Sequence, residues 1–329
     1  MIRGPLGAGG ADLSIMIPTY NCAHYLEHTL ASLADQGIEQ AQVEVVDDCS
    51  TDDDPEGVVR QLGQGRVSFH RQPVNLGLVG NFNSCIGRAE RRWVHLLHGD
   101  DLVLPGAYAS FAELISRHPD SRVAFGRCVI IGEDGLWDTI SEVLAPGLEG
   151  ELVYDPYRWG NNAVRFPSAL FRRDAAIAVG AFDDRYAHAA DWHLWWRLAK
   201  RFPTAYTNLC LGAYRRFPGN HSATLVRTAS DLREDLRLVR EIARAEPDAG
   251  LRLFEPLLGL VTGQACENAH DSATMLAHLR ILAALPSGLP KASRVALMAL
   301  AWTKVRLAKA EHRRLGPDTR RSPPADGRE

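Results

Sequence analysis

Two adjacent carboxylates, Asp100 and Asp101, close the apolar run Arg92-Trp-Val-His-Leu-Leu-His-Gly-Asp-Asp101, and Leu-Val-Leu-Pro105 follows. Acids at the C-terminal lip of a central strand stand where open α/β sheets hold ligands. Side by side they repel, and a divalent cation that favours oxygen ligands, Mg2+ or Mn2+, would relieve that repulsion. The same two residues also suit a helix cap or a turn. A second acid cluster, Asp47-Asp48-Cys-Ser-Thr-Asp52, follows the apolar stretch Val43-Glu-Val-Val46. Its residue types serve turns and caps as readily as ligand binding. Asp191 stands directly before Trp192-His-Leu-Trp-Trp-Arg-Leu-Ala-Lys200, a helix-like segment that an aspartate would cap.

The elements that must position these acids can be read from hydrophobic period. Residues 13–17 form a short apolar strand ending at Pro18. Tyr25, Leu26, Leu30 and Leu33 then recur at helical spacing. Strands at 43–46 and 67–70, helices near 56–62 and 82–89, and the strand leading to Asp100 continue the alternation. Strands alternating with helices predict a largely parallel sheet covered on both faces. Every candidate ligand residue then falls just after a strand. Between about 120 and 220 the pattern is less regular, with turns at Gly132-Glu-Asp-Gly135 and Pro146-Gly147. Within it, Arg165-Phe-Pro-Ser-Ala-Leu-Phe-Arg-Arg173 reads as a loop and then a strand. From about Asp231 the chain turns strongly helical.

Composition narrows the class. A chain of 329 residues holds about two domains, or one large domain and an extension. Hydrophobic content of 46% and charged content of 23% suit a soluble globular protein. A net charge of −3 gives no general attraction to nucleic acid. Six cysteines, at 22, 49, 85, 128, 210 and 266, include no C-x-x-C pair. That spacing argues against zinc and against a disulfide framework, and fits a reducing cytoplasm. The first ten residues lack the apolar core of a signal peptide, and no stretch reaches the roughly 18 apolar residues of a membrane span.

Five motifs follow one another: Ser14-Ile-Met-Ile-Pro-Thr-Tyr-Asn21, Val45-Val-Asp-Asp-Cys-Ser-Thr-Asp52, Asn75-Leu-Gly77, His98-Gly-Asp-Asp101 and Ala190-Asp-Trp192. As an ordered set they resemble the inverting family 2 glycosyltransferases of the GT-A fold, over about residues 13–222. The resemblance implies a Rossmann-like, mostly parallel sheet flanked by helices, with a helical C-terminal extension. It also implies transfer of a sugar from a nucleotide-sugar donor, UDP-linked, to an acceptor hydroxyl in glycan, polysaccharide or glycoconjugate synthesis. The acceptor would be a glycan, a lipid-linked saccharide or a small molecule.

On that resemblance Asp100 is the metal-binding acid of a D-x-D motif, Asp101 assists, and Mg2+ or Mn2+ bridges the donor phosphates. His98 replaces the first aspartate of many relatives. Asp48 reads the nucleobase beside Asp47, and Pro18, Thr19, Tyr20 and Asn21 pack along base and ribose. Asn75 and Gly77 let the backbone approach the nucleotide. Asp191 is the general base; Ala190 stands where relatives carry a second acid. Arg215 and Arg216 face the phosphates from a closing loop, in which His221 is a further metal ligand and Phe217 replaces a histidine. A nucleotidyltransferase would want a basic, glycine-rich loop in place of Pro18-Thr-Tyr-Asn21, and a dehydrogenase a G-x-G-x-x-G. A non-catalytic nucleotide-sugar-binding or scaffold module is the remaining alternative.

The expected division is a flexible N-terminus at 1–12, a catalytic domain at 13–225, a helical extension at 226–315 and a disordered tail at 316–329. The extension would contact acceptor, membrane surface or another copy in an oligomer. Residues 289–315 interleave Lys291, Arg294, Lys304 and Arg306 with Leu297, Leu300 and Trp302. Such a helix suits anionic lipid or packing on the catalytic domain equally. The expected location is cytoplasmic, with or without peripheral contact at the inner face of the membrane.

Overall fold

The computed structural model describes residues 4–141, 150–152, 162, 164–217 and 229–246. The expectations for His221, for the 289–315 helix and for the tail at 316–329 lie outside the described residues. The chain divides into two compact units, Met1–Asn220 and His221–Glu329.

The first unit opens with turns rather than a loose arm: Ala8–Gly10 form a 3-10 turn, and Leu6 is fully buried in the core. The alternation then runs β1 (Leu13–Thr19), α1 (Ala23–Ser32), β2 (Gln42–Asp47), α2 (Pro55–Leu62), β3 (Val67–Arg71), α3 (Gly77–Arg88) and β4 (Trp93–Leu96). Every residue of β1 is buried, as a strand covered on both faces requires. β1 pairs in parallel with β2, Ile15 opposite Val43, and with β4, Ile15 opposite His95. β3 adds in parallel to β2.

Beyond β4 come β5 (Leu102–Val103), α4 (Ala107–Arg117), β6 (Val123–Ile131), β7 (Trp137–Ile140), β8 (Gly150–Leu152), β9 (Ala169–Arg172), α5 (Arg173–Ala178), α6 (Ala190–Arg201) and β10 (Thr204–Arg215). The sheet order is β3-β2-β1-β4-β9-β6-β10-β5, with β7 on β6 and β8 on β10. β6 and β10 are parallel to each other, whereas β9 runs antiparallel between β4 and β6. β5, β7 and β8 are antiparallel to their partners too. The sheet is therefore parallel in its first half and mixed in its second. The cause is local for β6 and β7: a short turn at Gly132–Gly135 can join only antiparallel neighbours, since a parallel return needs a crossover.

α1 and α4 pack on the sheet through Leu26, Leu30, Tyr108 and Phe111, against Leu13, Ile15, Trp93 and Leu170. Each such fully buried apolar side chain contributes about 1.5–3 kcal/mol. α3 begins five residues before the periodicity around Phe82 predicts. In the second unit, α7 (Ser230–Ala245) buries Leu232, Leu236, Val239 and Ile242, a stripe at helical spacing.

Candidate active site

The ends of β1 and β2 are laced together by side chains. Asn21, at a left-handed φ of 50°, accepts from the Thr51 N–H at 2.8 Å and donates to Asp52 Oδ2 at 3.0 Å. Its own N–H donates to Ser50 Oγ at 2.9 Å. Asp47, fully buried, accepts from the Ser50 hydroxyl and N–H and pairs with Arg71 at 3.0 Å. Asp47 therefore builds the turn. Asp48, also buried, accepts from the Leu76 N–H at 2.7 Å, so this carboxylate caps α3 from across the lip. Burial raises its pKa above the usual carboxylate value. Asn75 accepts from the Gly77 N–H at 2.9 Å. Gly77 has φ +73°, and a Cβ there would meet nothing within 4 Å. Backbone conformation, not crowding, asks for glycine, and the space beside it is open. Tyr20 stands at this lip 49% exposed.

The acid pair lies in the tight loop between β4 and β5. α1 holds this loop: Thr29 Oγ1 donates to the carbonyls of Gly99 and Asp101 at 3.0 and 2.8 Å. The Gly99 N–H reaches the Pro18 carbonyl at 3.1 Å, and a Cβ on Gly99 would fall 2.4 Å from Thr19 Cγ2. Glycine is what lets the acid loop lie against the end of β1. His98, Asp100 and Asp101 each offer a ligand atom, all within 4.8 Å of one another. His98 Nε2 and Asp101 Oδ2 are buried without a hydrogen-bond partner. Two orphaned buried lone pairs fit a bound cation, which supplies the missing partner. Burial lowers the pKa of His98 to about 3, leaving the neutral imidazole that ligates metals. Burial raises Asp100 to about 6, and burial reinforced by the Asp100 charge raises Asp101 well above its ordinary range. Sequence reading counted Asp100 and Asp101 as ligands but not His98, although its place in the D-x-D pattern was the available signal.

Arg215, expected at the phosphates, is committed elsewhere. Only 1% exposed, it donates from Nε to the Asp100 carbonyl at 2.9 Å and from Nη1 to the carbonyls of Gly132 and Glu133 at 3.2 and 3.0 Å. Its guanidinium lies 4.8 Å over the Tyr25 ring, and Phe217 packs on the same ring at 4.8 Å. Arg215 fixes the acid loop from behind. Arg216 is exposed and bonds through its N–H to the Ile131 carbonyl at 2.8 Å.

Asp191 lies in the first turn of α6, one residue inside its start, and accepts from the Trp192 N–H at 2.6 Å. Asn162 Nδ2 donates to its other oxygen at 2.8 Å. Four residues on, the Phe166 ring sits 4.8 Å from His98 and 5.6 Å from Trp195 of α6. Asn162 thus touches Asp191, and Phe166 touches the acid loop. Trp192, Trp195 and Trp196 are buried. Asn162 and Phe166 carry no motif and were not anticipated.

Comparison with known proteins shows the fold and the family. The chain is 26% identical over 240 residues to the uncharacterized protein MT1568 of Mycobacterium tuberculosis (strain CDC 1551 / Oshkosh), covering 69% of this chain and 74% of that one. It is 31% identical over 127 residues to the GalNAc(5)-diNAcBac-PP-undecaprenol beta-1,3-glucosyltransferase of Campylobacter jejuni, covering 38% and 40% of the two. Among solved structures, S. aureus TarS 1–349 with UDP-GlcNAc superposes with a TM-score of 0.66 at 17% identity, covering 93% of each chain. The mannosyltransferase PcManGT of Pyrobaculum calidifontis with GDP-Man and Mn2+ gives 0.57 at 18% identity, over 92% and 86%. These likenesses establish the GT-A architecture. The profile of Glycosyl transferase family 2 matches residues 14–180, just over half the chain, and the protein belongs to that family of glycosyltransferases.

Proposed function

We propose that this glycosyltransferase is inverting and metal-dependent, with a UDP-linked sugar as donor and a glycan or lipid-linked hydroxyl as acceptor. The observation that carries the proposal is the His98-Asp100-Asp101 cluster with its unpartnered His98 Nε2 and Asp101 Oδ2, and the Phe166 ring that touches both His98 and Trp195 of the helix carrying Asp191. Inverting transfer needs a base on one side of the sugar and a charge-stabilised leaving group on the other. Asp191 takes the proton of the acceptor hydroxyl as its oxygen bonds to the anomeric carbon. The anomeric C–O bond breaks on the opposite face, and the nucleoside diphosphate leaves with its electron pair. His98, Asp100 and Asp101 hold the cation; when bound, Mg2+ or Mn2+ acts there as a Lewis acid towards the diphosphate.

Asp48 reads the nucleobase edge, Tyr20 and Asn21 flank base and ribose, and Arg216 reaches the phosphates from the end of β10. The relatives' names support the substrate classes: one solved neighbour holds UDP-GlcNAc, and the Campylobacter relative is named for an undecaprenol-linked acceptor. No described helix is long and apolar enough to cross a membrane. Contact with a lipid-linked acceptor is therefore proposed as peripheral.

The test is D191N, assayed with a panel of UDP- and GDP-sugars and Mn2+. Transfer is expected to fall by at least about a hundredfold, the lower bound of general-base catalysis, while Mn2+-dependent binding of the nucleoside diphosphate persists. Undiminished turnover would remove Asp191 from the base role. Activity unchanged by chelation would remove the metal.

A further inference from the structure

A departing diphosphate calls for a fork of N–H donors, and arginine presents five in one plane. Arg215 gives its Nε and Nη1 to the carbonyls of Asp100, Gly132 and Glu133, and Arg71 is tied to Asp47 and to the Ser50 carbonyl. Building on the nucleotide-sugar reading above, we propose that Arg165 is the residue whose guanidinium grips the diphosphate of the bound nucleotide.

Arg165 is half-buried. Its guanidinium makes no ion pair and donates no hydrogen bond among the described residues; it lies over the Tyr214 ring, 5.9 Å from the centroid. Withdrawing a cation partly from water without giving it an acceptor is costly, and an anionic ligand removes that cost.

The backbone that follows Arg165 is fixed beside the acid loop. The Ser168 N–H and hydroxyl donate to the Arg165 carbonyl at 3.0 and 3.1 Å. The next residue, Phe166, presses its ring on His98, and its carbonyl meets His95 Nε2 at 3.1 Å. Burial lowers the His95 pKa to about 4, so the ring is neutral. A carbonyl only accepts, so Nε2 carries the proton and Nδ1 accepts from the Tyr108 hydroxyl at 2.8 Å. The Pro167 carbonyl in turn lies against Gly212, where any Cβ would fall 2.1 Å from it. Tyr214, under the guanidinium, immediately precedes Arg215, whose N–H donates to Asp101 Oδ1 at 2.9 Å.

Arg165 therefore stands between Phe166, which packs on His98, and Tyr214, which adjoins the Arg215 N–H bonded to Asp101. A diphosphate shared between the cation cluster and this guanidinium would be held from two directions. Arg216, exposed at the end of β10, is left to the solvent edge of the same group.

The test compares wild type, R165M and R165K by calorimetric titration with UDP and with GDP in Mn2+, and by displacement with uridine and guanosine. R165M is expected to bind the preferred diphosphate about 10–100-fold more weakly, the range for lost hydrogen bonds to a charged group. Nucleoside affinity should not move. R165K should recover part of the loss, since an ammonium keeps the charge without the fork. Equal diphosphate affinity in R165M, or an equal fall for the bare nucleoside, overturns the assignment. Should R165M fail to fold, R165K binding the diphosphate as tightly as wild type does so instead. A wild-type protein that binds neither diphosphate overturns the nucleotide-sugar reading and this inference together.

Discussion

Arg215 holds Asp101 through its backbone: the arginine N–H donates to Asp101 Oδ1 at 2.9 Å, and its Nε donates to the carbonyl of the neighbouring Asp100 at 2.9 Å. Both residues are almost wholly buried. The end of β10 and the acid loop therefore form one rigid corner, closed by the Gly132 and Glu133 carbonyls on Nη1. R215M removes the side-chain donor from the carbonyls of Asp100, Gly132 and Glu133, of which Gly132 keeps the Gly135 N–H, and is expected to cost about 1–3 kcal/mol of folding stability. Urea denaturation measures it. R215K should recover little, because a point charge cannot span three divergent acceptors. A midpoint equal to wild type in R215M would show that the corner stands without this arginine.

Gly99 makes a sharper geometric case. A methyl group at this position would lie 2.4 Å from Thr19 Cγ2 and 3.0 Å from Cys22 Sγ. G99A should destabilise the fold by about 1–3 kcal/mol through overpacking and push the acid loop away from β1. T19S removes Cγ2 and keeps the hydroxyl. In the double variant G99A/T19S most of that loss should return, giving a coupling energy of about 1 kcal/mol in a double-mutant cycle. Strict additivity of the two changes would mean that the clash is relieved elsewhere.

The first half of the fold was legible because each element has its own period. β1 is a largely apolar run, β3 alternates Val67 and Phe69 with polar residues, and α1 repeats Tyr25, Leu26 and Leu30 on one face. β10 was hidden: Asn208 and Gly212 interrupt it, and its pairing with β6 shifts register twice between Tyr206 and Gly212. The early start of α3 was hidden by Gly77 and Gly80, which argue against helix locally, whereas Asp48 caps it from 28 residues away. The acids of the site were legible through turn chemistry and resemblance. What orders them was not: Asn162, Phe166 and Arg215 act through contacts made only in the folded chain, and Arg215 differs from a phosphate-binding arginine by its burial alone.

The metal site should depend steeply on pH. Burial lifts the Asp100 carboxyl to about 6, above its unfolded value, and burial together with the Asp100 charge raises Asp101 as well. In the metal-free protein the protonated acids favour the folded state. That contribution is complete below the unfolded pKa and is lost as pH rises through about 6. A cation binds the ionised pair, so it must displace protons on the acid side of this range. Mn2+ affinity, measured by titration calorimetry, should weaken as pH falls through about 6, by about tenfold per pH unit for each acid that must give up its proton. The thermal shift given by Mn2+ should likewise be larger near pH 7.5 than near pH 5.5. Affinity that is flat across this window would mean that the cation, if it binds, does not use these acids.

Asn162 offers a way to separate orientation from acidity at Asp191. Its amide holds Asp191 Oδ2 at 2.8 Å while the Trp192 N–H holds Oδ1 at 2.6 Å, so the carboxylate plane is fixed from two sides. Asn162 sits at φ 45°, a left-handed conformation that alanine resists and glycine accepts. N162G therefore removes the amide without straining the loop. A base freed to rotate is less often aligned with the acceptor proton, and kcat is expected to drop about tenfold, a modest part of what general-base catalysis contributes. Affinity for the nucleoside diphosphate, held at the other end of the segment, should stay within about twofold. N162A should show the same kinetic loss plus about 1–2 kcal/mol of lower stability from the backbone strain. If N162G instead weakens diphosphate binding and leaves kcat intact, the amide supports the loop that carries Arg165 and Phe166 rather than the base.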